Sequence, residues 1–367
     1  MKATYHREGL LAAVQLTSVA VASRDVKPIL RNLKIITDSD RSTLMATDME
    51  LGIRLDVRGV KVAEPGEAIL PTGRVMAILR ESTDEELCLE ADADRCQITG
   101  QHNEFEMPSE DPANFPDIPT FAEEKYHELT AKQLREMIRR TIFAAATENP
   151  RYAVTGILWE LEENTARLVA TDGRRLAVVH GPATAHGGHT TKGQTPVVPT
   201  KAMSILERNL QDPDETVKVC LRPNDVLFRT ERAVIYSRLV EGRYPPYRDV
   251  FPKKQTVKVP LTAGAFQTAV RQAAIMTDEE TKKVLFTFAK KKLTLQARGA
   301  GAGSSRVEMP IDCDAKEIAI AFDPKFLTEM LKVLEPDVSL TLELVDGNTP
   351  AVFRCGDDYA YVVMPLS

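Results

Sequence analysis

Leu168-Val169-Ala170-Thr171-Asp172-Gly173-Arg174-Arg175-Leu176-Ala177-Val178 decides the fold. Apolar and β-branched residues flank Asp172-Gly173, a dipeptide that readily reverses a backbone, so the stretch reads as two strands joined by a tight turn. An earlier copy, Leu44-Met45-Ala46-Thr47-Asp48-Met49-Glu50-Leu51-Gly52-Ile53, places Ala-Thr-Asp 171 − 47 = 124 residues upstream. A degenerate third copy, Leu293-Thr294-Leu295-Gln296-Ala297-Arg298, follows Leu168 by 293 − 168 = 125 residues. One unit is therefore written three times, and physical linkage of like units favours a curved or closed array.

Working outward, each unit has the same order. The first has a helix through Leu10, Leu11, Val14, Ser18 and Val21, strands over 29–37, 42–47 and 51–57, a second helix with Val75, Ile78 and Leu79, and further strands after Leu87 and Gln97. Phe115-Pro116-Asp117-Ile118-Pro119 then ends it, because proline lacks an amide donor and stops helices and central strands. In the second unit Thr130 and Gln133 form a capping box ahead of Leu134, Met137, Ile138 and Thr141; Pro196-Val197-Val198-Pro199-Thr200 precedes the second helix, with Met203 and Leu206, and Tyr244-Pro245-Pro246-Tyr247 repeats the proline connector. The third has helices over 265–275 and from Pro324. Helix, strands, helix, strands is an α+β arrangement with helices on one face of antiparallel sheets. Boundaries fall at 1–122, 123–253 and 254–367.

Of the 367 residues, 43% are hydrophobic and 27% charged, enough for each third to bury a core without disulfides or metal. Five scattered cysteines with no C-x-x-C give neither a disulfide framework nor a zinc knuckle, and point to a reducing cytoplasm. No run of about 18 apolar residues suggests a membrane span. Gly299-Ala300-Gly301-Ala302-Gly303-Ser304-Ser305 matches no phosphate-loop spacing and reads as a flexible hairpin loop. His186-Gly187-Gly188-His189 has no third ligand beside it and reads as a disordered surface loop, not a metal site. No nucleophile and base stand in a recognisable order, so neither catalysis nor a cofactor is indicated.

The net charge of −6 excludes a chain that coats nucleic acid over its whole surface, yet the expected helices carry Arg7, Arg24, Arg74, Arg80, Lys132, Arg135, Arg139, Arg140, Lys201, Arg208, Arg271, Lys325 and Lys332 within them or at their ends. Helices sharing one side of the array would form a basic track that holds phosphates without reading bases.

With these features in view, the sequence resembles the bacterial replicative sliding clamps, the β subunits of DNA polymerase III. The resemblance is carried by Lys27-Pro28-Ile29-Leu30-Arg31-Asn32-Leu33, Thr171-Asp172-Gly173-Arg174-Arg175-Leu176-Ala177, Leu239-Val240-Glu241-Gly242-Arg243-Tyr244-Pro245 and the ending Tyr361-Val362-Val363-Met364-Pro365-Leu366. It implies a non-catalytic processivity factor: three tandem clamp domains in a ring-shaped head-to-tail homodimer, helices lining the hole and sheets outside, bound to the nucleoid in the cytoplasm. Implied partners are double-stranded DNA, the polymerase III catalytic subunit, the clamp-loader complex, and other polymerases and repair proteins bearing clamp-binding peptides.

By the same resemblance a pocket between the second and third units accepts a short peptide with apolar anchors, at Val154, Thr171, Gly173, Arg174, Arg175, Leu176, Pro245, Val250, Val362, Met364 and Pro365. DNA would meet Arg24, Arg151, Tyr152 and Lys201, and the subunit contact would join Phe105 and Met107 to Ile275 and Met276. Arg174 stands where many relatives carry histidine, Ser367 where some carry a basic residue, Ala153 where some carry an aromatic, and Glu148 at an often neutral position. Two other readings are a three-domain enzyme binding a phosphorylated ligand near 299–305 and a non-annular scaffold using the same pocket.

Overall fold

A computed structural model describes residues 1–22, 27–92, 94–148, 152–254, 257–278, 282–299, 301, 303–313 and 317–366. Among them are six α-helices: α1 (Arg7–Thr17), α2 (Thr72–Glu81), α3 (Ala131–Arg139), α4 (Thr200–Asn209), α5 (Ala263–Ala274) and α6 (Pro324–Leu331). No helix of the described residues is long and apolar enough to cross a membrane. Helix starts follow local chemistry. The Thr130 hydroxyl accepts the Gln133 amide at 3.3 Å ahead of α3, and Asp323 accepts the Lys325 amide ahead of α6, whose first residue is Pro324. Each helix then buries one apolar stripe, such as Leu10, Ala13 and Val14 of α1 or Phe266, Ala269 and Val270 of α5.

The residues gather into two compact units. The first, 1–134 with 184–189 and 201–239, holds two antiparallel sheets. Its five-stranded sheet runs Val60–Glu64, Lys2–His6, Glu86–Ala91, Arg95–Thr99, Glu104–Pro108. Its nine-stranded sheet runs Thr184–His186, Tyr126–Thr130, Thr216–Leu221, Asp225–Arg229, Ala233–Arg238, Leu51–Val57, Ser42–Thr47, Leu33–Thr37, Gly66–Leu70. The second unit, 135–183 with 190–200 and 240–367, has an eight-stranded sheet ordered Val197–Pro199, Gly156–Glu162, Thr165–Thr171, Arg175–Pro182, Tyr359–Val363, Ala351–Cys355, Ser339–Leu344, Val257–Thr262. A four-stranded sheet follows Gly303–Pro310, Lys292–Gly299, Val284–Ala289, Ile318–Phe322.

Two strand pairs carry the sheets across the sequence repeats, and they correspond. Leu51–Val57 pairs with Ala233–Arg238, setting Gly52 opposite Tyr236, and Arg175–Pro182 pairs with Tyr359–Val363, setting Leu176 opposite Val362. Gly52 and Leu176 are again 124 residues apart (176 − 52). Glycine at 52 has a packing reason: a Cβ there would lie 2.8 Å from Ile118 Cγ2. The proline connector thus reaches the sheet where a side chain would otherwise stand.

Three local readings are corrected. The strand expected from Ile29 begins only at Leu33, because Pro28, with its fixed φ, opens a 3-10 turn over Pro28–Arg31. Ser18 and Val21 lie beyond α1, in and after a second 3-10 turn, Ser18–Ala20. His186-Gly187-Gly188-His189 is an ordered turn: both glycines have positive φ, His186 pairs opposite Tyr126, and buried His189 sets its Nδ1 2.7 Å from His127 Nδ1. Lys292–Gly299 and Gly303–Pro310 form the expected hairpin, although Ala300 and Ala302 lie outside the described residues.

Burial pushes the Cys96 thiol up to about 12 and the Cys220 thiol, helped by Glu123, up to about 11. The thiolate is the reactive form, so at about pH 8 a thiol reagent is expected to leave both untouched in the folded chain. Half-buried Cys88 should react first, and denaturation should release all five. Rapid native labelling of Cys96, located by peptide mapping, would contradict this burial.

Candidate partner-binding site

The turn at 171–175 is built from its own side chains. Thr171 Oγ1 accepts the Gly173 amide at 3.1 Å and donates to the Arg175 carbonyl at 2.6 Å. Asp172 Oδ1 accepts the amides of Arg174 and Arg175 at 2.9 and 3.1 Å. Gly173 takes φ of 89°, the left-handed backbone that glycine adopts without strain. Short polar side chains thus supply acceptors that the reversed backbone lacks.

Arg175 anchors the turn from behind. Its side chain is 7% exposed and its Nε donates to Asp172 Oδ2 at 3.0 Å. One terminal nitrogen pairs with Glu329 of α6, the other donates to the Phe143 carbonyl at 2.7 Å, and the guanidinium lies 4.6 Å from the Phe326 ring centroid. Burial opposes its charge, but Tyr361, Glu329 and Asp172 hold the guanidinium above the ordinary arginine value. Three separate stretches of chain are tied together by this side chain.

In front of the turn is a cavity of about 570 Å³, within the usual range for ligand sites. Ten of the eleven expected residues line it: Val154, Thr171, Gly173, Arg174, Arg175, Leu176, Pro245, Val250, Val362 and Met364; Pro365 does not. Val154, Leu176 and Val362 are buried, whereas Val250 and Met364 are each 39% exposed at the mouth. Apolar walls with few polar groups suit desolvated anchor residues, and methionine adapts to their shape.

Further lining comes from Tyr152, Tyr247, Asp249, Phe251, Pro252, Lys253, Thr349 and Pro350. Tyr152, expected at DNA, belongs to this wall and is 37% exposed. The dense prolines after Tyr244 were the available signal for 247–253; nothing local marks Thr349-Pro350. The connector is held firmly: Tyr244 Oη donates to the Val169 carbonyl at 3.1 Å and Tyr247 Oη to Glu160 at 2.9 Å. Burial, with the Glu160 carboxylate beside it, pushes the Tyr247 phenol up to about 12, so it stays a donor at neutral pH. The C-terminal segment closes another side, the Met364 amide donating to the Arg174 carbonyl at 2.8 Å.

The other expected positions are scattered. Lys201 is exposed at the start of α4 but pairs with Asp48 at 2.5 Å; Arg24, Arg151 and Ser367 lie outside the described residues. Phe105 is 37% exposed on Glu104–Pro108, an edge strand, while Met107 on the same strand is buried within the single chain. Ile275 is 71% exposed after α5 and Met276 is half-buried. Among the helix cations, Arg140 is diverted to Glu136 and Asp358, and Arg7 to the Leu79 carbonyl and Glu8.

Comparison with known proteins gives one answer along the chain. Models of the DNA polymerase III beta subunit match its N-terminal domain at 1–119, its central domain at 128–246 and its C-terminal domain at 248–367. The chain is 30% identical over 375 residues to the beta sliding clamp of Pseudomonas putida and 27% identical over 369 residues to that of Escherichia coli K12, covering 100% of both partners in each case. A crystal structure of a DnaN sliding clamp from Pseudomonas aeruginosa bound to griselimycin is similar with a TM-score of 0.92 at 26% identity, over 100% of this chain and 99% of that one. The fold, the threefold order and the full-length matches agree: the chain belongs to the DNA polymerase III beta subunit family, the beta sliding clamps.

Proposed function

We propose that the chain is a DNA polymerase processivity factor that closes as a head-to-tail homodimer around duplex DNA and slides without reading sequence. It tethers the polymerase III catalytic subunit, the clamp-loader complex, and other polymerases and repair proteins through short peptides seated in the 570 Å³ cavity. The observation that carries this reading is that cavity, where ten expected positions from four stretches of chain meet and six of them, Val154, Leu176, Pro245, Val250, Val362 and Met364, supply apolar wall. Retention comes from topology, so phosphate contacts can stay weak enough to slide while the tethered polymerase remains at high effective concentration. Exposed cations on the helices, such as Arg74, Arg80, Lys132, Arg135 and Arg208, suit such contacts, and Lys201 is assigned with them.

Domain boundaries are assigned at 1–122, 123–253 and 254–367. For ring closure, Glu104–Pro108 and Gly303–Pro310 are edge strands, each paired on one side only among the described residues; Phe105 lies on the first, and the second is tied to the end of α5, two residues before Ile275, where Ser305 Oγ donates to the Ala273 carbonyl at 2.7 Å. Unpaired amides and carbonyls of such edges are satisfied by strand addition. The role places the protein with the nucleoid in the cytoplasm.

The test is retention of the protein, loaded by its matching loader, on nicked circular DNA at high salt before and after linearisation. Retention on circles with loss from linear ends is the expected result, because salt removes an electrostatic binder from both. Equal loss from both would overturn encirclement and leave a peptide-binding scaffold.

A further inference from the structure

The Ala-Thr-Asp turn occurs twice, and its copies make the same threonine and aspartate hydrogen bonds to the backbone but differ at one carboxylate oxygen. In the first copy Thr47 Oγ1 accepts the Met49 amide at 3.0 Å and donates to the Leu51 carbonyl at 2.7 Å. Asp48 Oδ1 accepts the amides of Glu50 and Leu51 at 3.1 and 2.8 Å. Met49 takes φ of 75° where the second copy has glycine. These bonds repeat those made by Thr171 and Asp172. The outward oxygen differs. Asp172 Oδ2 takes the Nε of buried Arg175, whereas Asp48 Oδ2 takes the ammonium of Lys201, in the first turn of α4, at 2.5 Å.

The two members of this pair are unequal. Asp48 is 20% exposed and fixed by two turn amides, so its second oxygen is aimed. Lys201 is 49% exposed on a flexible stem and makes no other ion pair among the described residues. The carboxylate determines where the ammonium rests. Salt weakens the pair only in part, since the contact is far shorter than the Debye length of about 8 Å at physiological ionic strength.

We infer that Asp48 is a positioning residue that holds the Lys201 ammonium back, so that the start of α4 offers DNA a neutral pair instead of a free cation. The inference rests on the assignment of Lys201 to DNA under the proposed function. A phosphate approaching Lys201 must compete with a carboxylate already in place, which keeps its grip at this point weak. Sliding benefits, because each step along the duplex breaks and remakes such contacts.

The test is binding of the full-length protein to a fluorescein-labelled duplex at salt concentrations from about 50 to 200 mM, the range over which one phosphate contact changes affinity about threefold. Asp48→Asn keeps a carbonyl oxygen for the turn amides but removes the charge. It is expected to bind more tightly at low salt, with a salt slope steeper by about one. Lys201→Ala uncovers the carboxylate and is expected to bind more weakly; the double variant, neutral for neutral, returns to the wild-type slope. Asp48→Ser, whose hydroxyl still accepts turn amides, repeats the first arm if Asp48→Asn perturbs the turn. A purely structural role would change thermal stability without changing the salt slope. If Lys201→Ala weakens binding while neither Asp48 variant steepens the slope, the restraint is wrong and the DNA assignment stands. If no variant changes DNA binding, Lys201 does not meet DNA and both fall.

Discussion

Arg175→Ala is expected to lower the stability of the second unit by about 3 kcal/mol, the low end of the cost of removing one partner from a buried ion pair, because its two carboxylate partners keep some contact with water. The loss is large because the side chain has no substitute. Asp172 and Glu329, whose side chains are 20% and 27% exposed, would keep partly buried negative charge with no counterion, and the Phe143 carbonyl would lose its donor. The Phe326 ring would also lose the guanidinium 4.6 Å from its centroid. Urea unfolding followed by fluorescence of Trp159, buried in the same unit, measures the effect. Arg175→Lys keeps one charge but not three directed donors, and should recover only part of the loss. A change below about 1 kcal/mol for Arg175→Ala would place the network in the weak class of surface pairs.

The second large effect is at the mouth of the cavity. Val250→Asp combined with Met364→Asp is expected to weaken binding of a peptide with two apolar anchors by roughly thirtyfold, about 2 kcal/mol for the two changes together. Each change replaces apolar wall by a carboxylate that must shed water when an anchor enters. Both residues are 39% exposed in the free chain, so folding should be little affected. Fluorescence polarisation of a labelled peptide, with thermal melting as the control, separates lost affinity from lost fold. Unaltered affinity in a folded double variant would remove these residues from the peptide's path.

These two sites differ in how far the sequence announces them. Thr171-Asp172-Gly173 is legible because the turn's donors, acceptors and left-handed residue lie within three positions, and its copy at 47–49 uses the same chemistry. The helix starts at Thr130 and Pro324 are legible for the same local reason. Glu329 as the partner of Arg175 is not, since 154 residues separate them and a lone glutamate on a helix has no distinguishing pattern. His189 was hidden similarly: Gly187-Gly188 suggests a loose loop, and only the return of the chain against Tyr126–Thr130 supplies His127. Phe105 and Met107 alternate onto the same strand face, opposite Ile98 and Cys96, but local pattern could not say which would be covered. At Pro28 the β-branched and apolar run suggested a strand, and a fixed proline dihedral outweighed it.

The strand pairs that carry each sheet across a repeat boundary also have a mechanical consequence. Leu51–Val57 is laced to Ala233–Arg238, and Arg175–Pro182 to Tyr359–Val363, through five residue pairs each. Parting either junction would strip a whole ladder at once and expose its amides and carbonyls together. Inside each unit the sheet therefore runs without a break from one repeat into the next. Neither repeat of a unit can swing away from its neighbour without breaking main-chain bonds, so the linkage between them is a sheet and not merely the connecting chain.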